Sequence, residues 1–166
     1  MGSVDVDRIT NLQGIVDNNS DLIYSVIDGI IANYSKELDE YIDKIRNDVH
    51  KNSPQMSDLN DYCLNLSIYL YYASTMQERV GIKEDISRAI YKEAYNNSRN
   101  SLEKGTIADK DSIAELLSQH EYLTNLCYKR AYAIMKEKVS AGQELLASIK
   151  KIISQRMQEI SLTHLS

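Results

Sequence analysis

Apolar residues recur at intervals of three and four along nearly the whole chain, the spacing that gathers them on one face of an α-helix. The first such tract runs from Leu22, Ile23, Val26 and Ile27 through Ile30, Ile31, Tyr34 and Leu38 to Tyr41, Ile42, Ile45 and Val49. Asn19 or Ser20 can cap its start. Lys51-Asn52-Ser53-Pro54 closes it, because proline disfavours helical geometry in the residue before it and has no N–H to donate. A second tract begins near Ser57 with Leu59, Tyr62, Cys63, Leu66, Leu70, Ala73 and Met76 on one side. Around Gly81 its stripe shifts to Ile82, Ile86, Ile90 and Ala94, which predicts a kink or two consecutive helices ending before the stop signal at Gly105. The third tract opens with Ser112-Ile113-Ala114-Glu115, a capping-box pattern. It then keeps helical period from Leu116, His120 and Leu123 through Cys127 and Ala131 to Leu145, Ile149, Ile152, Ile153 and Ile160.

These patterns predict an all-α fold of long amphipathic helices in an elongated, oligomeric bundle. One domain spans residues 1–166, with residues 1–56 as an acidic helical extension and 57–166 as the helical core and assembly region. Fifty helical residues in the third tract extend about 75 Å. Either Gly142 bends such a rod or another chain packs on it, and partner packing through Leu145, Ile149, Ile152, Ile153 and Ile160 is the favoured expectation.

Composition narrows the picture. With 43% apolar and 26% charged residues and one proline, the chain is neither disordered nor fibrous. Phe and Trp are absent while Tyr occurs 12 times, so every aromatic core contact brings a hydroxyl that needs water or a partner. Net charge is −5, unevenly spread: residues 1–61 hold 5 Lys/Arg against 12 Asp/Glu, and residues 129–166 hold 7 against 3. Such polarity permits attraction between copies, or a basic end that meets phosphate. Cys63 and Cys127 lie in apolar helical patterns and are expected to be core thiols of a reducing compartment. No apolar run is long enough for a membrane span, and the acidic first twenty residues are not a signal peptide, so a cytoplasmic protein is expected.

Catalytic constellations are hard to find. His50, His120 and His164 form no metal-binding spacing, the cysteines no CxxC, and the six glycines no phosphate loop. His120, on the apolar face, is expected in the core or an interface. Asp39/Glu40 and Glu84/Asp85 are adjacent carboxylates that point about 100° apart on a helix and carry no catalytic expectation. The expectation is a protein that is not an enzyme and needs no cofactor or metal.

One polar constellation stands out. Arg88, Lys92, Tyr95 and Arg99 fall at i, i+4, i+7 and i+11, on one helix face opposite Ile86, Ile90 and Ala94, with Tyr91 and Asn96 beside them. Cations that neutralise phosphate, interleaved with an aromatic that stacks on an unpaired base, form a single-stranded nucleic-acid surface. Lys129, Arg130, Lys136 and Lys138 form a second, less aligned basic group, and Lys150, Lys151 and Arg156 a third that suits the helix dipole and solubility.

Over residues 57–160 the chain resembles the bacteriophage UvsY-type recombination mediators. The resemblance rests on Ser57-Asp58-Leu59 through Leu70-Tyr71, Ile82-Lys83-Glu84, the basic and aromatic run to Lys104-Gly105, Ala108-Asp109-Lys110-Asp111, the Gln119/Tyr122 region and Cys127 with its long helix. It implies a phage-encoded protein of the host cytoplasm, a homo-oligomer that binds single-stranded DNA and helps a recombinase displace a single-strand-binding protein. It also implies DNA contact at Arg88, Lys92, Arg99 and Lys104, and assembly through the helix from Leu145 to Ile160. The acidic N-terminal extension then has room for an autoinhibitory role over the basic stripe, in which case deleting residues 1–56 raises DNA affinity. The alternative is a purely structural helical adaptor in which the same features are packing and solubility.

Overall fold

The structure, a computed structural model, describes the backbone of residues 6–51 and 53–163. Asn52 and His164 lie outside the described residues. Those residues hold four helices and no strand: α1 (Val6–Lys51), α2 (Met56–Ser101), α3 (Ile107–Leu117) and α4 (Gln119–Thr163). The all-α expectation is met, with different boundaries. The first helix passes through Asn19 and Ser20 without a break and begins well before them. At the start of α2, the backbone N–H of Gln55 donates to Asp58 Oδ2 at 2.7 Å. At its end, Lys110 Nζ donates to the carbonyl of Leu102, and Gly105 takes the left-handed φ of 114° that glycine permits without strain. The capping box of the next helix is Thr106 with Asp109, not Ser112 with Glu115. The Thr106 hydroxyl accepts from the Asp109 N–H at 3.2 Å while Asp109 Oδ2 accepts from the Thr106 N–H at 3.0 Å. Between α3 and α4 only Ser118 leaves helical geometry, and its buried hydroxyl donates to the Ala114 carbonyl.

Inter-helix bonds fix the topology. Tyr62 donates to Asp48 and Lys83 to Tyr34, so α2 runs back along α1. Asn125 donates to Ser87, and Arg156 to the Pro54 carbonyl, so α4 runs back along α2. Lys138 reaches Asp39 in register with parallel α1 and α4. Each long helix extends about 68 Å. A rod of that length was expected to need another chain or a bend at Gly142. Instead α4 is covered along much of its length by two equally long rods of its own chain, and Gly142 lies buried in an unbroken helix.

The core is coiled-coil-like. Leu59, Leu66, Ala73, Val80 and Ser87 are buried at steps of seven along α2, as are Ile31, Leu38 and Ile45 on α1 and Met135, Gly142 and Ile149 on α4. They form two clusters, one around Leu38, Leu59, Leu66 and Ile149, the other around Ile27, Ile31, Val80, Ala131 and Met135. The expected shift at Gly81 does not occur. One continuous stripe passes through it, the Tyr132 ring packs where a Cβ would sit 3.0 Å away, and Ile82, Ile86 and Ile90 face solvent on the other side. Leu145, Ile149 and Ile153, expected at an interface between copies, pack into the first cluster; Ile152 and Ile160 are exposed.

Two glycines separate propensity from packing. Gly29 is exposed in mid-helix, and a Cβ there would meet nothing within 4 Å; a Cβ on Gly142 would stand 2.7 Å from Leu70 Cδ2 and 3.9 Å from Ile42 Cδ1, where all three long helices meet. Gly29→Ala is expected to stabilise the fold by about 0.5–1 kcal/mol. Gly142→Ala, despite the same propensity gain, is expected to lower the melting temperature, because overpacking costs about 1–3 kcal/mol. Thermal unfolding of the two variants checks the opposite signs.

Four tyrosine hydroxyls find partners within the chain. Tyr62 donates to Asp48 at 3.1 Å, Tyr41 to the Asp61 carbonyl at 3.4 Å and Tyr95 to Asp111 at 3.1 Å, while Tyr34 accepts from Lys83 at 2.6 Å. Burial pushes the Tyr62 phenol up, reinforced by Asp48. Buried Ser35 donates to Asp39 Oδ2, whose other oxygen accepts from Lys138, a polar bridge that holds α1 against α4. Cys127 is buried and Cys63 half-buried; desolvation raises both thiols, which makes them poor nucleophiles.

Candidate nucleic-acid interface

The C-terminal half of α2 places Arg88, Lys92, Tyr95 and Arg99 on one line, as their spacing predicts. That line borders the groove where α3 docks. Asp111 of α3 is the docking point: Arg99 Nε donates to its Oδ1, and so does the Tyr95 hydroxyl. The Arg99 guanidinium holds the Asp111 carboxyl below the usual carboxylate range, and burial with the Asp111 bond holds the Tyr95 phenol above its usual range. Arg88 is half-exposed and pairs with Asp85, with Glu84 at 3.7 Å. Two of the three stripe cations are therefore internally paired, though in exposed pairs that a phosphate can compete for. Lys92 and Lys104 are exposed and enter no ion pair among the described residues.

Two shallow recesses flank this line. One, of about 160 Å³, is lined by Tyr91, Lys92, Tyr95, Asn96 and Glu115. Its aromatic wall extends further, because the Tyr91 ring centroid lies 6.4 Å from that of Tyr95 and 5.6 Å, edge-on, from that of Tyr122 on α4. The other, of about 360 Å³, sits at the α2–α3 turn and is lined by Arg99, Asn100, Gly105, Ile107 and Lys110. Lys92 and Arg99 are seven residues apart, about 10 Å along the helix. The first recess is smaller than the 300–1,000 Å³ typical of small-molecule pockets and suits one flat ring. The second gathers two cations and an amide as an anion requires.

Tyr122, Lys110 and Asn100 were missed as contributors. Lys110 and Tyr122 come from other helices, and no local spacing in α2 points to them. On α4, Lys129, Lys136 and Lys150 prove better aligned than the sequence grouping implied. They stand at multiples of seven on its exposed side, whereas Lys138 and Arg156 are half-buried and engaged. His120 is exposed rather than buried, at the rim of an apolar groove with Leu22, Val26 and Leu123.

Among the described residues no group of three or more His, Cys, Asp or Glu is placed to hold a metal ion, and no helix is long and apolar enough to cross a membrane. Comparison with protein-family models, with curated proteins and with solved structures finds no match for this chain.

Proposed function

We propose that the chain is a non-enzymatic accessory protein of DNA recombination that binds single-stranded DNA, oligomerises and assists recombinase loading in competition with a single-strand-binding protein. The observation that carries the DNA reading is the pairing of a tyrosine-lined recess at Tyr91, Lys92 and Tyr95 with a cation-lined recess at Arg99 and Lys110, half-buried along the border between α2 and α3 with Lys92 exposed. Stacking on tyrosine tolerates any base, and phosphate contacts carry no sequence information, so the surface suits an unpaired strand of any sequence. The recombinase role comes from the resemblance to the UvsY-type mediators.

A fluorescent single-stranded oligonucleotide is expected to bind at low salt and to dissociate steeply as salt rises. Lys92→Ala with Lys104→Ala should lower the slope of log affinity against log salt by roughly 0.7 for each phosphate that is no longer neutralised. Both residues are exposed and outside the core, so the melting temperature is the control for folding. Absence of binding at low salt would sink this reading. It would leave the purely structural adaptor, which the internal pairing of Arg88 and Arg99 favours.

A further inference from the structure

Where the tyrosine recess ends, a line of lysines begins. Tyr122, Lys129, Lys136, Gln143 and Lys150 stand at steps of seven on α4, and all five are exposed. Residues that keep this interval follow a seam between two helices of a coiled-coil-like bundle. The two ends of the line identify the seam as the one with α2. The Tyr122 ring meets Tyr91 edge-on at 5.6 Å, and at Cys63 burial raises the thiol while the nearby charge of Lys150 lowers it. Tyr91 and Cys63 are themselves four steps of seven apart on α2. The lysines between border the same seam, and the whole line spans about 42 Å.

Among the described residues nothing answers their charge. Lysines flanking a closed coiled coil are commonly met by acidic residues across the seam or one turn along the helix. Here the positions three and four residues to either side of Lys129, Lys136 and Lys150 hold no Asp or Glu. Across the seam α2 presents Ser67, Ser74 and Gly81, again at steps of seven, with the Tyr132 ring against Gly81. Glu84, which also borders the seam, pairs with Arg88 at 3.7 Å. None of the three lysines enters an ion pair among the described residues. About 100° round α4 the pattern changes. There Arg130, Glu137, Glu144 and Lys151 keep the same interval and their charges cancel, as on an ordinary solvated face.

The lysine line also continues the site already described. The Asn125–Ser87 bond places Lys92, five residues further along α2, level with the first turn of α4. From Arg99 through Lys92 and the Tyr91–Tyr122 pair to Lys150, cations and tyrosines run in one direction over about 50 Å. Lysines about 10 Å apart each meet about every third phosphate of a stacked strand, whose charges recur about every 3.4 Å. Unpaired bases at the start of the line are free to stack on the tyrosines.

We propose that a single strand of nucleic acid bound at the tyrosine recess continues along the α2–α4 seam, its phosphates held by Lys129, Lys136 and Lys150, so that one chain covers about 15 nucleotides rather than about three. The track rests on the DNA half of the reading above and sets its footprint.

Binding of fluorescent oligothymidylates of about 5 and about 20 nucleotides, followed against salt for the full chain and two charge-matched variants, tests the track. Lys136→Ala with Lys150→Ala takes two cations from the seam, and Arg130→Ala with Lys151→Ala takes two from the neighbouring column of the same helix. All four residues are exposed, so unchanged melting controls for folding. The seam variant is expected to bind the long strand roughly tenfold or more weakly at low salt, to lose roughly 1.4 from the slope of log affinity against log salt, and to bind the short strand as the wild type does. The column variant is expected to stay near the wild type with both strands. Two variants that behave alike would overturn the track, since equal losses would report net charge and equal retention a bare seam, and wild-type binding would then keep the DNA reading at the recesses. A duplex that competes as well as the long single strand would also overturn it, because paired bases cannot stack on the tyrosines. If the wild type binds neither strand at low salt, the DNA reading falls and the track with it.

Discussion

Leu66→Ala is expected to cost the fold about 2–5 kcal/mol, with the denaturant midpoint falling and its slope unchanged. Leu66 is 0% exposed, in the middle of the α2 heptad stripe, within the cluster that joins all three long helices. Removing its isobutyl group forfeits the transfer free energy of those carbons. It also leaves a cavity that cannot collapse, because neighbours on α1 and α4 are held by their own stripes. Against a total of about 5–15 kcal/mol the loss is large. Leu64 provides the control. It is the same residue type two positions away and 63% exposed, so Leu64→Ala should change stability by no more than about 0.5 kcal/mol. Equal losses at the two positions would mean that the buried and exposed faces of α2 have been interchanged.

That interchange is the error the sequence invites. Periodicity reports where apolar side chains lie, and α2 has two apolar stripes. The exposed one carries Ile82, Ile86 and Ile90, while the covered one passes through Gln77, Glu84 and Ser87, so hydrophobicity alone selects the wrong face in the second half of the helix. The steps of seven from Leu59 through Leu66, Ala73 and Val80 to Ser87 and Ala94 were present all along. They identify the buried side because packing against a partner helix, not hydrophobicity, keeps that interval. Ser87 is tolerated there since it accepts from Asn125 at 3.1 Å and donates to the Glu84 carbonyl. The all-α class was legible for the opposite reason: any of these stripes is helical whichever one is buried.

The candidate site was legible only along α2. Spacing alone placed Arg88, Lys92, Tyr95 and Arg99 on one line. That Asp111 would pair with Arg99, and Tyr122 stand against Tyr91, depends on how α3 turns back at Gly105 and hands over to α4 at Ser118. Those are tertiary facts with no local periodic signature. The Thr106–Asp109 box shows the same limit on a smaller scale, since Ser112–Glu115 matches the cap pattern as well and only the position of the preceding glycine separates them.

Deleting residues 1–52 is expected to abolish cooperative folding rather than to release a DNA-binding face. The acidic segment was expected to be an extension; the structure makes it a third of the core. Ile27, Ile31, Leu38 and Ile45 are each at most 5% exposed. At about 1.5–3 kcal/mol for each buried aliphatic side chain, their removal forfeits about 6–12 kcal/mol, as much as a domain of this kind has to lose. Lys138 would lose Asp39, Tyr62 would lose Asp48, and Ala131 and Met135 would meet water. Loss of the thermal transition, with aggregation in sedimentation, is the expected result; a monodisperse truncated chain that melts cooperatively would show that α2 and α4 suffice. Electrostatic screening by α1 needs a gentler probe, and its exposed face supplies one. Asp17, Asp21 and Asp28 lie outside the core, so changing all three to Asn removes negative charge and leaves the packing alone. If the acidic segment screens the Lys92 line, oligonucleotide affinity rises in that variant at low salt, and the difference fades above about 0.15 M, where the Debye length falls to about 8 Å. Equal affinity at low salt would assign α1 to packing alone.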